Sequence, residues 1–171
     1  MKGETFPNMQ VHLLRHGVAE EGRLGLSDAE RALTPDGRKK LRQVLRTAIE
    51  AEVQPTLILT SPLKRAIQTV EIAKEVLGYK NEILRTKALT PGSNVEQVWD
   101  EIRVHRKETS LMLVGHNPLF ENLTGYLLNC PSLKLDFKKG AFLRLDVESF
   151  TPQPHGVLRW LLTAKLAGSH D

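Results

Sequence analysis

Four side chains in three separated segments are suited to one kind of chemistry. Arg15 and His16 end the apolar run in "VHLLRHGVAE", Arg65 lies in "TSPLKRAIQT", and His116 follows "LMLVG" in "VGHNP". An imidazole is mostly uncharged near pH 7 and can attack phosphorus through a ring nitrogen. Two guanidinium forks can hold the nonbridging oxygens of a phosphoryl group bidentately, and a second imidazole, when protonated, adds a donor. Positioning and charge stabilisation are most of what phosphoryl transfer requires.

Taken singly, each residue has a plainer explanation. Arg65 reads as a solvated helix residue, His116 as a hydrogen-bonded histidine at a strand end, and Arg-His-Gly alone is a weak motif. Their common placement makes the set informative. Residues 11–14, 57–59 and 111–114 are short branched apolar runs, too short for helices, and predict buried strands. Between and after them the apolar spacing changes to three and four. Leu41, Val44, Leu45 and Ala48 share one face, as do Leu63, Ala66, Ile67, Val70 and Ala73. Val95, Val98, Trp99 and Ile102 form a third face, and Leu119, Phe120, Leu123 and Leu127 a fourth.

Strands alternating with helices predict a parallel sheet joined by right-handed crossovers. "AFLRLDV" and "VLRWLLT", separated by the turn-rich "ESFTPQPHG", predict two further strands. The expected fold is therefore a three-layer α/β/α sandwich around a mostly parallel, mixed sheet with an antiparallel component near the C-terminus. Helix starts are expected at Ser61-Pro62 and Asn117-Pro118, with related starts at Thr34 and Thr90. Anions gather at such helix N-termini, beyond the carboxyl ends of the strands. Arg15, His16, Arg65 and His116 all fall at that edge. Neighbours on a strand point to opposite faces, so Arg15 and His16 reach one anion only if the chain leaves extended geometry there, which Gly17 is expected to ease through its dihedral freedom.

Composition limits the alternatives. A chain of 171 residues, 40% hydrophobic and 26% charged, fits one domain, here residues 9–171, behind a polar extension at 1–8. The net charge of +4 and pI of about 9.3 suit an anionic ligand or simple solubility. The basic stretches "GRKKLRQVLR" and "LDFKKG" read as solvated faces, and no nucleic-acid partner is expected. Cys130 is the single cysteine, which excludes an intrachain disulfide and a thiolate metal cluster and suits a reducing compartment. With no apolar run near the roughly 18 residues of a membrane span and no signal core, a cytoplasmic location is expected. His12 and His16 have the i, i+4 spacing of helical zinc ligands, but on a strand that spacing separates them by about 13 Å. Nearby arginines repel a cation, so neither a metal nor another cofactor is expected.

"LLRHG", "TSPLKRAIQT" and "VGHNP", in this order, resemble the three segments that define the histidine phosphatase, or phosphoglycerate mutase-like, superfamily. The resemblance implies a phosphoglycerate mutase-like fold and a metal-independent phosphatase with His16 as the phosphorylated nucleophile. It implies that Arg15, Arg65 and His116, with Asn117 beside them, form the phosphate pocket. The compact length, a first strand beginning just after Met9, and "ALTPGSN" following "NEILRT" are most similar to the short SixA-type phosphohistidine phosphatases. In larger relatives a glutamate after the third strand acts as general acid, whereas residues 85–94 here contain no carboxylate. An alkoxide leaving group would suffer by about 10²–10⁴-fold without that acid. A phosphohistidine substrate leaves as neutral imidazole and needs it less. Glu20 is a weak candidate for a substitute, with Asp28, Glu30 and Asp36 behind it. The expected partner is a phosphohistidine protein. The other readings are a small phosphate ester as substrate, or a noncatalytic module that binds phosphate or nucleic acid.

Overall fold

The computed structural model describes residues 8–168; residues 1–7 of the expected extension and residues 169–171 lie outside the described residues. The elements run in the order β1 (Met9–Arg15), α1 (Pro35–Glu50), β2 (Leu57–Thr60), α2 (Lys64–Leu77), β3 (Ile83–Arg85), α3 (Val95–Val104), β4 (Ser110–Gly115), α4 (Leu119–Leu127), β5 (Phe142–Ser149), β6 (His155–Leu162) and α5 (Ala164–Ala167). The strands form one six-stranded sheet in the order β3-β2-β4-β1-β5-β6. β3, β2, β4 and β1 are mutually parallel, while β5 and β6 join by antiparallel pairing. This is the expected mixed sheet.

Alternation along the central strands divides the core in two. Val11 and Leu13 of β1, with Leu111 and Leu113 of β4, meet Trp99 of α3 and Phe120 and Leu123 of α4. Leu14, Met112, Val114 and Ile58 point the other way, onto Leu41 and Val44 of α1 and Ala66 and Val70 of α2. The helical faces read from the sequence are the ones that are buried, although Leu63, Ile67 and Val95 are only half-buried. β3 went unread because it is a three-residue edge strand with exposed Leu84 and Arg85 and no apolar run to announce it.

Three of the four helix starts differ from expectation. Thr34 caps α1 as expected, accepting from Gly37 N, with Pro35 in the first turn. α2 begins only at Lys64, after Leu63, which supplies no side-chain cap. α4 begins at Leu119, with Pro118 in the cap position; Asn117 instead accepts from Glu121 N. Thr90 ends a short 3₁₀ turn at Lys87–Leu89, and Asn94 with Gln97 makes the capping box of α3. A Thr-Pro pair marks a turn, but which residue caps depends on where the following helix can dock.

The start of α1 is pressed against the loop that follows β1. Thr34 N donates to Val18 O at 2.9 Å, and a Cβ on Gly37 would lie 2.3 Å from that same carbonyl oxygen. Backbone on one side and a helix on the other cannot yield cheaply. Gly37→Ala should therefore destabilise the fold by about 3 kcal/mol, read as a lowered urea midpoint at unchanged slope.

Candidate active site

The site rests on the register of three parallel strands. Arg15 of β1 lies opposite Gly115 of β4, and Thr60 of β2 opposite Val114 of β4, so the strands end nearly flush. Each strand hands over to a residue one step beyond: His16, Ser61 and His116. The ladder continues for one further bond on each side of β4, from His16 N to Gly115 O and from Ser61 N to Val114 O, both 2.9 Å.

His16 leaves the strand, as its convergence with Arg15 requires, but Gly17 does not help in the expected way. Its φ is not among the positive values; its need is space, because a Cβ there would meet Leu41 Cδ1 at 2.7 Å. The glycine in left-handed geometry is Gly140, at φ +73°, whose N–H donates to His16 O at 2.9 Å. The same loop holds Arg15, whose guanidinium donates to Phe137 O at 2.6 Å.

The protons of the two imidazoles follow from their partners. His16 Nδ1 lies 2.7 Å from Gly17 O, and a carbonyl only accepts, so Nδ1 carries the hydrogen and Nε2 carries the lone pair. His116 Nε2 lies 2.7 Å from Ser61 Oγ. That oxygen accepts from Leu63 N and has no other acceptor for its own hydrogen among the described residues. Ser61 therefore donates to Nε2, and the His116 hydrogen sits on Nδ1. The two rings stand 5.1 Å apart, tilted by 55°.

Arg65 comes from the first turn of α2 and is buried. Its guanidinium donates to Asp28 O at 2.8 Å and to Asp28 Oδ2 at 3.1 Å. Thr69, one turn on, accepts from Gly17 N and donates to Arg65 O, tying α2 to the loop behind His16. On these site residues, three buried donors have no hydrogen-bond partner among the described residues: Arg15 Nε, Arg65 Nε and His116 Nδ1. Unmet donors of this kind are costly, and they come here from three elements, β1, α2 and the residue after β4.

Burial, followed by the positive charges of Arg65, Arg15 and Lys139, lowers the His16 pKa to about 4 against the partial support of the Gly17 carbonyl. His116 is lowered to about 3 by burial, then by His16, Arg65 and Arg15, with Asp28 opposing. Both rings are neutral at pH 7, so His116 offers its Nδ1–H as a neutral donor rather than as the protonated one envisaged from sequence. Hydrogen bonds from Arg31 and Arg65 hold the Asp28 carboxyl below the usual range, which keeps it ionised.

His16 and His116 are thus brought together, Arg15 and Arg65 lie close enough for their charges to act on both rings, and Asn117 is next in chain to His116. The Glu20 carboxylate accepts from Ala32 N at 3.1 Å and pairs with Arg23 at 3.5 Å. Of the carboxylates named from sequence, Asp28, placed there behind Glu20, is the one that reaches Arg65. Ser61, Thr69 and Gly140 were not singled out for the site, although Ser61 and Thr69 lie within "TSPLKRAIQT" and Thr69 is one helical turn from Arg65. Among the described residues no group of three or more His, Cys, Asp or Glu side chains is arranged to hold a metal. No described helix is long and apolar enough to cross a membrane.

The chain is similar to known proteins in sequence and in fold. The family described as Histidine phosphatase superfamily (branch 1) matches residues 11–90. Phosphohistidine phosphatase SixA of Escherichia coli (strain K12) is 30% identical over 125 residues, covering 72% of this chain and 75% of the relative. An uncharacterized protein of Picosynechococcus sp. is 32% identical over 111 residues, 64% of this chain and 67% of the relative. Among solved structures, the protein histidine phosphatase SixA complexed with tungstate aligns with a TM-score of 0.82 at 27% identity, covering 92% of this chain and 98% of that one.

The depressed imidazoles link the site to stability. His16, His116 and the equally buried His12, lowered by burial and then by Arg144 to about 4, take up protons near pH 6.5 when unfolded but only near 3 to 4 when folded. Between those limits the unfolded chain binds more protons. Stability should be fully present above pH 6.5 and fall as the pH drops toward 4, by up to about 1.4 kcal/mol per pH unit for each ring. Urea melts across this range check the slope, and imidazole nitrogen shifts should report His16 as the Nδ1–H tautomer at pH 7.

Proposed function

Because the chain belongs to the histidine phosphatase superfamily, we propose that its site removes phosphoryl groups from phosphohistidine in proteins through a covalent intermediate on His16. The observation that carries this reading is the His16 tautomer. The Gly17 carbonyl holds the hydrogen on Nδ1 and leaves the lone pair on Nε2, in a ring close to His116 and to the charges of Arg15 and Arg65, each of which has an unpartnered donor. In the first step the lone pair forms a bond to phosphorus while the bond to the leaving nitrogen breaks and its electron pair stays on that nitrogen. Arg15, Arg65 and the His116 Nδ1–H receive the charge on the nonbridging oxygens, with the Asn117 amide beside them. In the second step water attacks phosphorus, the electron pair returns to Nε2, and inorganic phosphate leaves as the water loses a proton to solvent.

The choice of substrate follows from the leaving group. An alkoxide asks for a proton donor, and residues 85–94 offer no carboxylic acid. Asp28, at Arg65, is held ionised. An imidazole whose other nitrogen is protonated departs neutral and makes no such demand. The relative in Escherichia coli is named a phosphohistidine phosphatase, and the SixA structure holds tungstate, a tetrahedral oxyanion shaped like phosphate. Both support this reading.

Rapid quenching with labelled phosphohistidine protein should trap acid-labile label on the chain. His16→Ala should trap none and lose at least about 10³-fold in kcat, while a chelator should leave the wild type fully active. Turnover of a simple phosphomonoester exceeding that of phosphohistidine would replace the substrate assignment, and wild-type turnover by His16→Ala would end the mechanism. Ser61→Ala should let the His116 hydrogen move to Nε2 and weaken tungstate inhibition about fivefold, the worth of one hydrogen bond.

A further inference from the structure

The two basic stretches that read from sequence as unrelated solvated faces meet in the folded protein. Lys40 of α1, Lys138 and Lys139 of the loop before β5, and Lys165 of α5 line one open cleft of about 750 Å³, and Arg15 lies in its wall. The C-terminal hairpin makes this possible, because β6 returns the chain so that Ala164 and Ala167 of α5 pack onto the core beside α1. Lys139 is close enough to His16 for its charge to act on that imidazole. Arg15, in the wall of the cleft, and Lys139 thus connect it with the proposed phosphate site.

Its charge is only partly compensated. Lys40 pairs with Asp36 at 2.7 Å and Lys138 with Asp136 at 2.9 Å, both in exposed positions. Lys139 and Lys165 pair with no carboxylate among the described residues. We propose that this cleft binds an acidic segment of the polypeptide that carries the phosphorylated residue, which deepens the function proposed above and rests on it. Arg15 belongs to both the cleft and the proposed phosphate site, so an occupant of the cleft lies beside that site. The volume exceeds the need of a phosphate and suits several side chains. Carboxylates complement the lysines, while the alkyl stems, Val18 and Ala164 give the rest of the segment apolar contact. A nucleic acid would gain no base stacking, since the lining contains no aromatic ring, and a membrane surface would not enter a concave cleft.

The test compares two synthetic peptides with the same phosphohistidine, one flanked by glutamates and the other by glutamines. Wild-type kcat/KM should favour the glutamate peptide by about tenfold, and rising salt should erode that preference. Lys40 and Lys165 are absent from the groups that shift His16 and His116. Lys40→Glu with Lys165→Glu should bring the ratio to about one or below, and a general loss of activity cancels in the ratio. Should the doubly reversed protein fold poorly, Lys40→Gln with Lys165→Gln should still reduce the ratio to about threefold. Equal rates on both peptides in the wild type would overturn the cleft assignment alone, as would a preference that survives both double variants. Failure to hydrolyse either peptide, with turnover of a phosphomonoester, would overturn the function and the cleft together. Inhibition by an oligonucleotide or phosphatidylserine vesicles at concentrations below those of a polyglutamate peptide would overturn the polypeptide as occupant.

Discussion

The register of β1, β4 and β2 is the constraint on which the rest depends. Parallel strands that end flush place the residues following them side by side, and here those residues are His16, His116 and Ser61. The spacing is set by the sheet, since neighbouring strands lie about 4.8 Å apart. A slip of one residue in β1 would turn Leu14 and Leu13 to the wrong cores and carry His16 to the wrong level. The two apolar cores thus enforce the geometry of the site through the alternation of their leucines. Catalytic positioning and core packing are one requirement at this edge.

The site is held at a local cost. Two guanidinium groups and two imidazoles are gathered where burial disfavours positive charge, and both imidazoles respond by staying neutral. Asp28 partly offsets Arg65, and backbone carbonyls from Phe137 and Asp28 engage both guanidinium groups. These contacts leave Nε of each arginine and Nδ1 of His116 unmet. An anion supplies what the fold withholds, and a dianion supplies more of it than a monoanion. Affinity for a phosphoryl group is then the relief of an imbalance that the packing of the strands and helices maintains.

His12 shows why burial alone does not make such a site. It is as buried as His116, its pKa is lowered to about 4, and neither ring nitrogen has a partner. Its ring neighbours are Phe142 and Trp160, at 5.7 and 6.0 Å, and the arginine near it, Arg144, is already paired with Asp146. His16, four residues later on the same strand's continuation, differs in having a carbonyl that chooses its tautomer and cations that await an anion. The same residue type serves packing in one place and the proposed chemistry in the other.

Much of this was legible in the sequence, because it is local. Apolar period two or three-and-four marks strands and helices, and Arg15, His16, Arg65 and His116 sit at fixed offsets from the apolar runs. The mostly parallel sheet with its antiparallel C-terminal part and the four proposed pocket residues follow from such short-range signals together with the three motifs, whereas the strand order and the edge strand β3 do not. What escaped was decided by contacts distant in sequence. Asp28 reaches Arg65 across 37 residues and Ser61 reaches His116 across 55, while Lys40, Lys138 and Lys165 meet only because the last hairpin folds back beside α1. Helix caps failed for a related reason, since α2 and α4 start where they dock and not where the first capping residue occurs. By itself, then, the sequence determined which side chains stand at the edge of the sheet. The tertiary structure alone decided which proton each imidazole carries and which charges face it, because a hydrogen bond or an ion pair exists only once its distant partner has been brought within reach.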